Sequence, residues 1–207
     1  EPDGYVLVFG TASTHALYSL FAKEPQYDPV RDFTHIAVVG GAPAAFGVGA
    51  GAPQTLKEVI DLARASPGRL QYASPGEGTY LHFTAERLKR ETGNVDIQHI
   101  PFRGSAQALP ALIGGQVGMS VDTLGSLLPN HKAGKLKIVA VAQPKRSRLA
   151  PEVPTVDEAV GTRGFDAVLW NVIAAPAKLP PAITAILAAA TAKVMGDASL
   201  HEQLALL

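Results

Sequence analysis

The chain has 207 residues, is 47% hydrophobic and 17% charged, and its 18 basic and 18 acidic residues cancel. That length and apolar content suit one large or two small domains with a substantial core, and the lack of a basic excess argues against nucleic acid as a partner. No cysteine is present, which excludes disulfides, thiolate nucleophiles and Cys-based zinc sites. The apolar runs are short and broken by Gly, Pro or polar residues, so no membrane insertion is expected. No secretion signal is read in the chain.

Tyr5–Phe9 is a short run of β-formers and predicts a strand, followed by the polar loop Gly10–His15 and a helix to about Ala22. Phe33–Val39 predicts the next strand and Ala44–Val48 another. Thr55 with Glu58 three residues on is a capping-box signature. Leu56, Val59, Ile60 and Ala63 then mark one apolar helical face. Strands are expected at Leu70–Ser74, Asp96–Pro101, Val117–Val121 and Leu136–Ala142. The helices between them open at Thr79, Ser105 and Leu124. Such alternation points to an α/β architecture with parallel sheets. Pro144–Pro154 is basic and proline-punctuated, with no clear period. Phe165–Ala175 predicts a further strand, and Pro180 or Pro181 starts an Ala-rich helix to about Met195. His201–Leu207 again has a helical pattern.

Four places can carry chemistry. Ser74-Pro75-Gly76-Glu77-Gly78-Thr79 follows a strand and opens a helix. Its glycines let a ligand come close to the backbone, and the N–H groups and dipole of a first helical turn favour an anion. The same residues also read as a plain capped turn. Thr11, Ser13, Thr14 and His15 repeat the strand–loop–helix pattern with three hydroxyls, and His15 is either a donor or a packed helix-start residue. Arg103 and Gly104 close a strand, where Arg103 can pair with a carboxylate or stay solvated. Asp122 closes another, as a site residue or a helix cap.

Two further patterns point towards catalysis. Gly47-Val48-Gly49-Ala50-Gly51-Ala52 fits a dinucleotide fingerprint, but the acid expected about 20 residues on is missing near Tyr72. An esterase elbow around Ser74 would need glycine where Tyr72 stands. None of the six histidines lies three to five residues from another, so helical metal pairs are not expected.

Taken in order, the segments resemble a known family. Pro2-Asp3-Gly4-Tyr5, Thr14-His15-Ala16, Tyr27-Asp28-Pro29 through Asp32-Phe33-Thr34, Pro67-Gly68 with Leu70 and Tyr72–Ser74, Ile100–Gly104, Ala111–Val117 with Asp122, and Pro151–Glu158 are similar to successive elements of the Bug family. These are the receptors of tripartite tricarboxylate transporters. The resemblance implies an α/β, two-lobed periplasmic-binding-protein (type II) fold. In this chain it would lack the first N-terminal strands and the C-terminal end. Residues 1–44 plus 146–207 would form an incomplete first lobe and residues 45–145 the second.

The implied function is a periplasmic receptor that captures a small carboxylate between two lobes and delivers it to membrane subunits of the cognate transporter. It would use no cofactor and no metal, and it would not be an enzyme. The ligand-binding residues it implies are Thr11, Ser13, Thr14 and His15, Ser74, Gly76, Gly78 and Thr79, Arg103 and Gly104, with Asp122 organising a loop. The alternative is an α/β enzyme, nucleotide-dependent or a hydrolase.

Overall fold

The structure is a computed structural model that describes residues 1–200. The helical stretch expected at His201–Leu207 lies outside the described residues. In chain order the elements are β1 (Val8–Thr11), a π-helical turn (Ser13–Leu17), α1 (Tyr18–Phe21), β2 (Phe33–Val48), α2 (Leu56–Ala65), β3 (Gln71–Ser74) and α3 (Tyr80–Glu91). Then come β4 (Gln98–Pro101), α4 (Ser105–Ile113), β5 (Met119–Thr123), α5 (Leu124–Lys132), β6 (Lys137–Val141), α6 (Val156–Val160), β7 (Val168–Pro176) and α7 (Pro181–Met195). The chain divides into two compact units, Glu1–Gly41 with the chain from Leu169 onward, and Ala42–Val168.

In the first unit β1 pairs antiparallel with β7, Val8 opposite Ala174 through Thr11 opposite Asn171. The strand begins later than the sequence predicts, and Tyr5 and Val6 stand exposed outside it. Asp28 and Asp32 close the turn before β2: Asp28 N–H donates to Asp32 Oδ2 at 2.7 Å, and Asp28 Oδ1 accepts from Val30 and Arg31. Tyr27 stacks on Tyr18 with ring centroids 4.3 Å apart, and its hydroxyl donates to Thr14 O at 3.0 Å.

The second unit is a sheet with helices on both faces. Its strand order is β6-β2-β5-β3-β4. β3 runs parallel to β4 and β5, as the alternation of elements predicts, but β2 runs antiparallel to both β5 and β6. α2 links β2 to β3, yet β2 lies antiparallel to β5 while β3 lies parallel to it, so this one helical connection does not join parallel strands. Successive residues of each strand face opposite cores. Tyr72, Phe46 and Val121 pack with Leu56, Val59 and Ile60 of α2 and with Leu81, Ala85 and Leu88 of α3. Ala73 and Ala45 pack on the other face with Leu112 of α4 and with Leu124 and Leu127 of α5. Burial of each large side chain contributes about 1.5–3 kcal/mol.

The helices start where their caps require. Thr55 Oγ1 accepts from Glu58 N–H at 3.2 Å and Glu58 Oε2 accepts from Thr55 N–H at 3.0 Å, the reciprocal capping box predicted from sequence. A second box, Thr155 with Glu158, opens α6, an element the sequence reading did not include. Residues 146–168, given to the flanks in that reading, gather here. Ala150 and Val153 join the cluster around Leu127, and Phe165 meets Phe46 with ring centroids 6.4 Å apart. Their apolar side chains join the cores on this unit's two sheet faces.

Candidate binding site

The sheet order decides where a crevice opens. β3 lies between β5 and β4, and all three point the same way. From their carboxyl ends, α3 departs to one face of the sheet while α4 and α5 depart to the other. Neighbouring parallel strands whose helices leave to opposite faces leave an opening at their carboxyl ends. Three loops stand there: Ser74–Thr79 after β3, Phe102–Gly104 after β4, and Asp122–Thr123 at the end of β5. The fold therefore brings Ser74, Gly76, Gly78, Thr79, Arg103, Gly104 and Asp122 to one end of one unit.

Hydrogen bonds tie the first two of these loops together. Phe102 N–H donates to Ser74 O at 3.0 Å and Gly104 N–H to Pro75 O at 2.9 Å. Gly78, at φ +72°, and Gly104, at φ +96°, occupy backbone conformations that a side chain disfavours. Gly104 is the N-cap of α4, so that helix begins at a position suited to glycine.

The hydroxyls expected to face a ligand are engaged within the turn. Ser74 is fully buried; its Oγ lies 2.7 Å from His99 Nε2, accepts from Gly76 N–H at 3.2 Å and donates to Gly76 O at 3.1 Å. Thr79 Oγ1 accepts from His82 N–H at 3.2 Å, capping α3, and donates to Gly76 O at 2.8 Å. Gly78 N–H donates to His82 Nδ1 at 3.1 Å. The N–H groups of Glu77 and Thr79 make no hydrogen bond among the described residues.

Two histidines that the sequence reading did not single out thus support the turn. His82 and His99 stack with centroids 4.0 Å apart and planes 12° from parallel, and Tyr72 stacks on the other side of His99 at 4.9 Å. The parallel register that sets His99 opposite Tyr72 creates this cluster, and it leaves no trace in local spacing. Burial, then the neighbouring His82, pulls the His99 imidazole down to about 4. Burial lowers His82 as well. Tyr72 donates its hydroxyl to Glu86 at 2.6 Å, and Glu86 pairs with Lys89 at 2.8 Å. The Ser74–His99 contact has the reach of a nucleophile–base pair, but a Ser74 with no solvent exposure presents no nucleophile to a substrate.

Asp122 is 1% exposed at the starts of α4 and α5. Its Oδ1 accepts from Thr123 N–H at 2.7 Å, while Oδ2 is buried without a hydrogen-bond partner among the described residues. Burial raises its pKa, and the Ser105 hydroxyl, Thr123 N–H and Ser126 hydroxyl act in the opposite direction. Arg103 is exposed and its guanidinium makes no ion pair among the described residues.

Thr11, Ser13, Thr14 and His15 lie in the other unit, at the end of β1. Thr14 Oγ1 accepts from Thr11 N–H at 2.9 Å, donates to Thr11 O at 3.2 Å and lies 2.9 Å from His15 Nδ1. The His15 ring packs 4.9 Å from Phe33, its Nε2 is buried without a hydrogen-bond partner among the described residues, and burial followed by His35 lowers its pKa.

Gly47 and Gly49 of the dinucleotide-like stretch serve packing, while Gly51 has open space beside it. A Cβ on Gly49 would lie 2.9 Å from Leu112 O, and Gly49 N–H is bonded to Gly118 O. No group of three or more His, Asp or Glu side chains among the described residues is arranged to hold a metal ion.

The profile of the "Tripartite tricarboxylate transporter family receptor" family matches residues 1–206. A relative from Pseudomonas sp. (strain P51), the "UPF0065 protein in tcbD-tcbE intergenic region", is 30% identical across 98% of this chain and 60% of its own length. Another, from Cupriavidus necator, "UPF0065 protein in gbd 5'region", is 37% identical across 76% of this chain and 47% of its own. The chain thus spans about half to three fifths of the curated relatives it matches. Among solved structures, R. palustris Rpa4515 with adipate superposes with a TM-score of 0.91 at 32% identity, covering 99% of this chain and 68% of that one. MatC (Rpa3494) from Rhodopseudomonas palustris with bound malate gives 0.88 at 31% identity, covering 100% and 70%. The periplasmic binding protein BugD gives 0.88 at 26%, covering 100% and 68%. The fold is that of two-lobed type II periplasmic binding proteins. Among the described residues no helix is long and apolar enough to cross a membrane.

Proposed function

The chain belongs to the tripartite tricarboxylate transporter receptor family, and on that premise we propose that it captures a small carboxylate without changing it chemically. We place the ligand at the carboxyl ends of β3, β4 and β5. The receptor works in the periplasm and delivers its cargo to the membrane subunits of its cognate transporter. The observation that carries this reading is the convergence there of three helix starts, those of α3, α4 and α5, with the loops before α3 and α4 joined by backbone hydrogen bonds. Each helix start presents positive dipole ends to an anion. Because Ser74 and Thr79 use their hydroxyls inside the turn, the donors are the main-chain N–H groups of Glu77 and Thr79, and Arg103 adds charge at the rim. A charge-assisted hydrogen bond contributes about 1.5–3 kcal/mol, so three approach the roughly 8 kcal/mol of micromolar binding. The adipate and malate held by two similar proteins support the ligand class. Thr11–His15 is a second candidate binding loop, to be tested by its own variant, His15→Ala.

The test is a thermal-melt panel of malate, succinate, adipate, citrate, glutamate, aspartate and nicotinate. A ligand at 100 times its dissociation constant stabilises by about 2.7 kcal/mol. The reading requires a selective rise that is lost in Gly78→Val. A flat panel would count against the reading, and turnover of an ester series that disappears in His99→Gln would replace it with the enzyme reading.

A further inference from the structure

The paired imidazoles under the turn do more than fill space. His82 Nδ1 accepts the N–H of Gly78, so its neutral ring carries the proton on Nε2. His99 Nε2 holds Ser74 Oγ, and that oxygen is bonded to both the N–H and the carbonyl of Gly76. The two rings, stacked 4.0 Å apart, thus set the two ends of the turn. A proton on His82 Nδ1 would place a donor against the N–H of Gly78, and a second proton on His99 would set two cations face to face. Both changes act against the present turn.

We infer that His82 and His99 are positioning residues that hold the Ser74–Thr79 turn in its carboxylate-accepting form while neutral, and that their protonation opens the turn and releases the ligand. This rests on the function proposed above. The charged and titratable groups facing the pair are Glu77 in the turn, Glu86 and Lys89 on α3, and Tyr72 on β3. Glu77 and Glu86 favour protonation; Lys89 opposes it. Burial keeps both rings neutral at neutral pH, so the switch works on acidification.

The experiment follows imidazole nitrogens and the Gly78 amide by NMR from about pH 7.5 to about pH 3.5, with adipate affinity measured by calorimetry across the same range. Three results are expected. The neutral His82 ring carries its proton on Nε2, the Gly78 amide moves with the His82 titration, and adipate affinity falls about tenfold for each proton coupled per pH unit. His82→Gln, whose amide oxygen accepts the same N–H without titrating, retains neutral-pH affinity and loses the acid response. Adipate protonation affects both proteins equally, so the ratio of their profiles isolates His82. An Nδ1–H tautomer, a Gly78 amide indifferent to His82, or an unchanged acid response in His82→Gln overturns the inference. Should His82→Gln fail to fold, the wild-type tautomer and the Gly78 amide decide. If adipate binds at no pH while the Gly78 amide still follows His82, the carboxylate reading fails and the proton-linked turn stands.

Discussion

Thr79 is expected to matter to the turn more than to the ligand. Replacing it with alanine removes two bonds at once. The first is the cap on α3, in which Thr79 Oγ1 accepts from His82 N–H at 3.2 Å. Loss of such a cap costs about 1 kcal/mol, within roughly 0.5–2. The second is the donation to Gly76 O at 2.8 Å. That carbonyl keeps its bond from Ser74 Oγ, so it is not orphaned, and the loss is an ordinary net bond of about 0.5–1.5 kcal/mol. Thr79→Ala should therefore destabilise by about 2 kcal/mol, read as a lower urea midpoint at unchanged slope by far-UV circular dichroism. Thr79→Ser keeps both bonds and should lie within about 0.5 kcal/mol of wild type. A Thr79→Ala cost below about 0.5 kcal/mol, or a Thr79→Ser cost equal to it, would refute the reasoning. A fall in ligand affinity in Thr79→Ala would report on the shape of the turn, and Thr79→Ser is the fairer probe of contact.

Gly78→Ala forces a side chain to φ +72° and should cost about 1–2 kcal/mol in the same urea assay. Leu88→Ala empties a fully buried position between α3 and the sheet and should cost about 2–5 kcal/mol; a smaller loss would mean that the site collapses. His99 titrates at about 4 when folded and near its ordinary 6.5 when unfolded, so between these values the unfolded chain binds more protons. Its stabilising contribution is then complete above about pH 6.5 and lost as pH falls towards 4, by about 1–2 kcal/mol once its partial exposure is allowed for. His99→Gln should flatten that part of the stability–pH curve. Asp122 has the opposite sign: its raised pKa means the folded chain binds more protons, and stability falls as pH rises through that value. Asp122→Asn should match or exceed wild-type stability at pH 7, with the advantage vanishing in acid; a loss above about 2 kcal/mol would show that the ionised form is needed.

What was legible in the sequence was local. Thr55 with Glu58, and Thr79 before an apolar face of Leu81, Ala85 and Leu88, announced their helices because cap and periodicity lie within one turn of each other. Thr155 with Glu158 carries the same signature, but its five-residue helix is too short to show a period. Gly40-Gly41-Ala42-Pro43 suggested a break between two strands. The structure keeps β2 continuous from Phe33 to Val48, a strand that neighbours β7, β5 and β6, and such non-local pairing can override weak propensity. The antiparallel direction of β2 was illegible for the same reason. At the site, the sequence marked the loops but not their internal bonding. Ser74 reads as a donor for a ligand because nothing local reveals that His99 engages it, whereas the capping role of Thr79 towards His82 N–H was one of its two local readings. His82 and His99 lie far apart in the chain, and only the β3–β4 register makes them neighbours.

The ends of the second unit's sheet have a consequence for self-association. An unpaired strand edge is a template on which another chain can add. Here β4, the last strand on one side, is four residues long and finishes at Pro101, which has no N–H to offer. On the other side, β6 is met by the segment before α6: Val141 N–H donates to Pro154 O at 2.9 Å, and Val141 bridges to Thr155. One edge is short and proline-capped, and the other is met at its last residue, Val141. These margins therefore offer little length for edge-to-edge growth, and the prolines that made the sequence look irregular are part of what protects them.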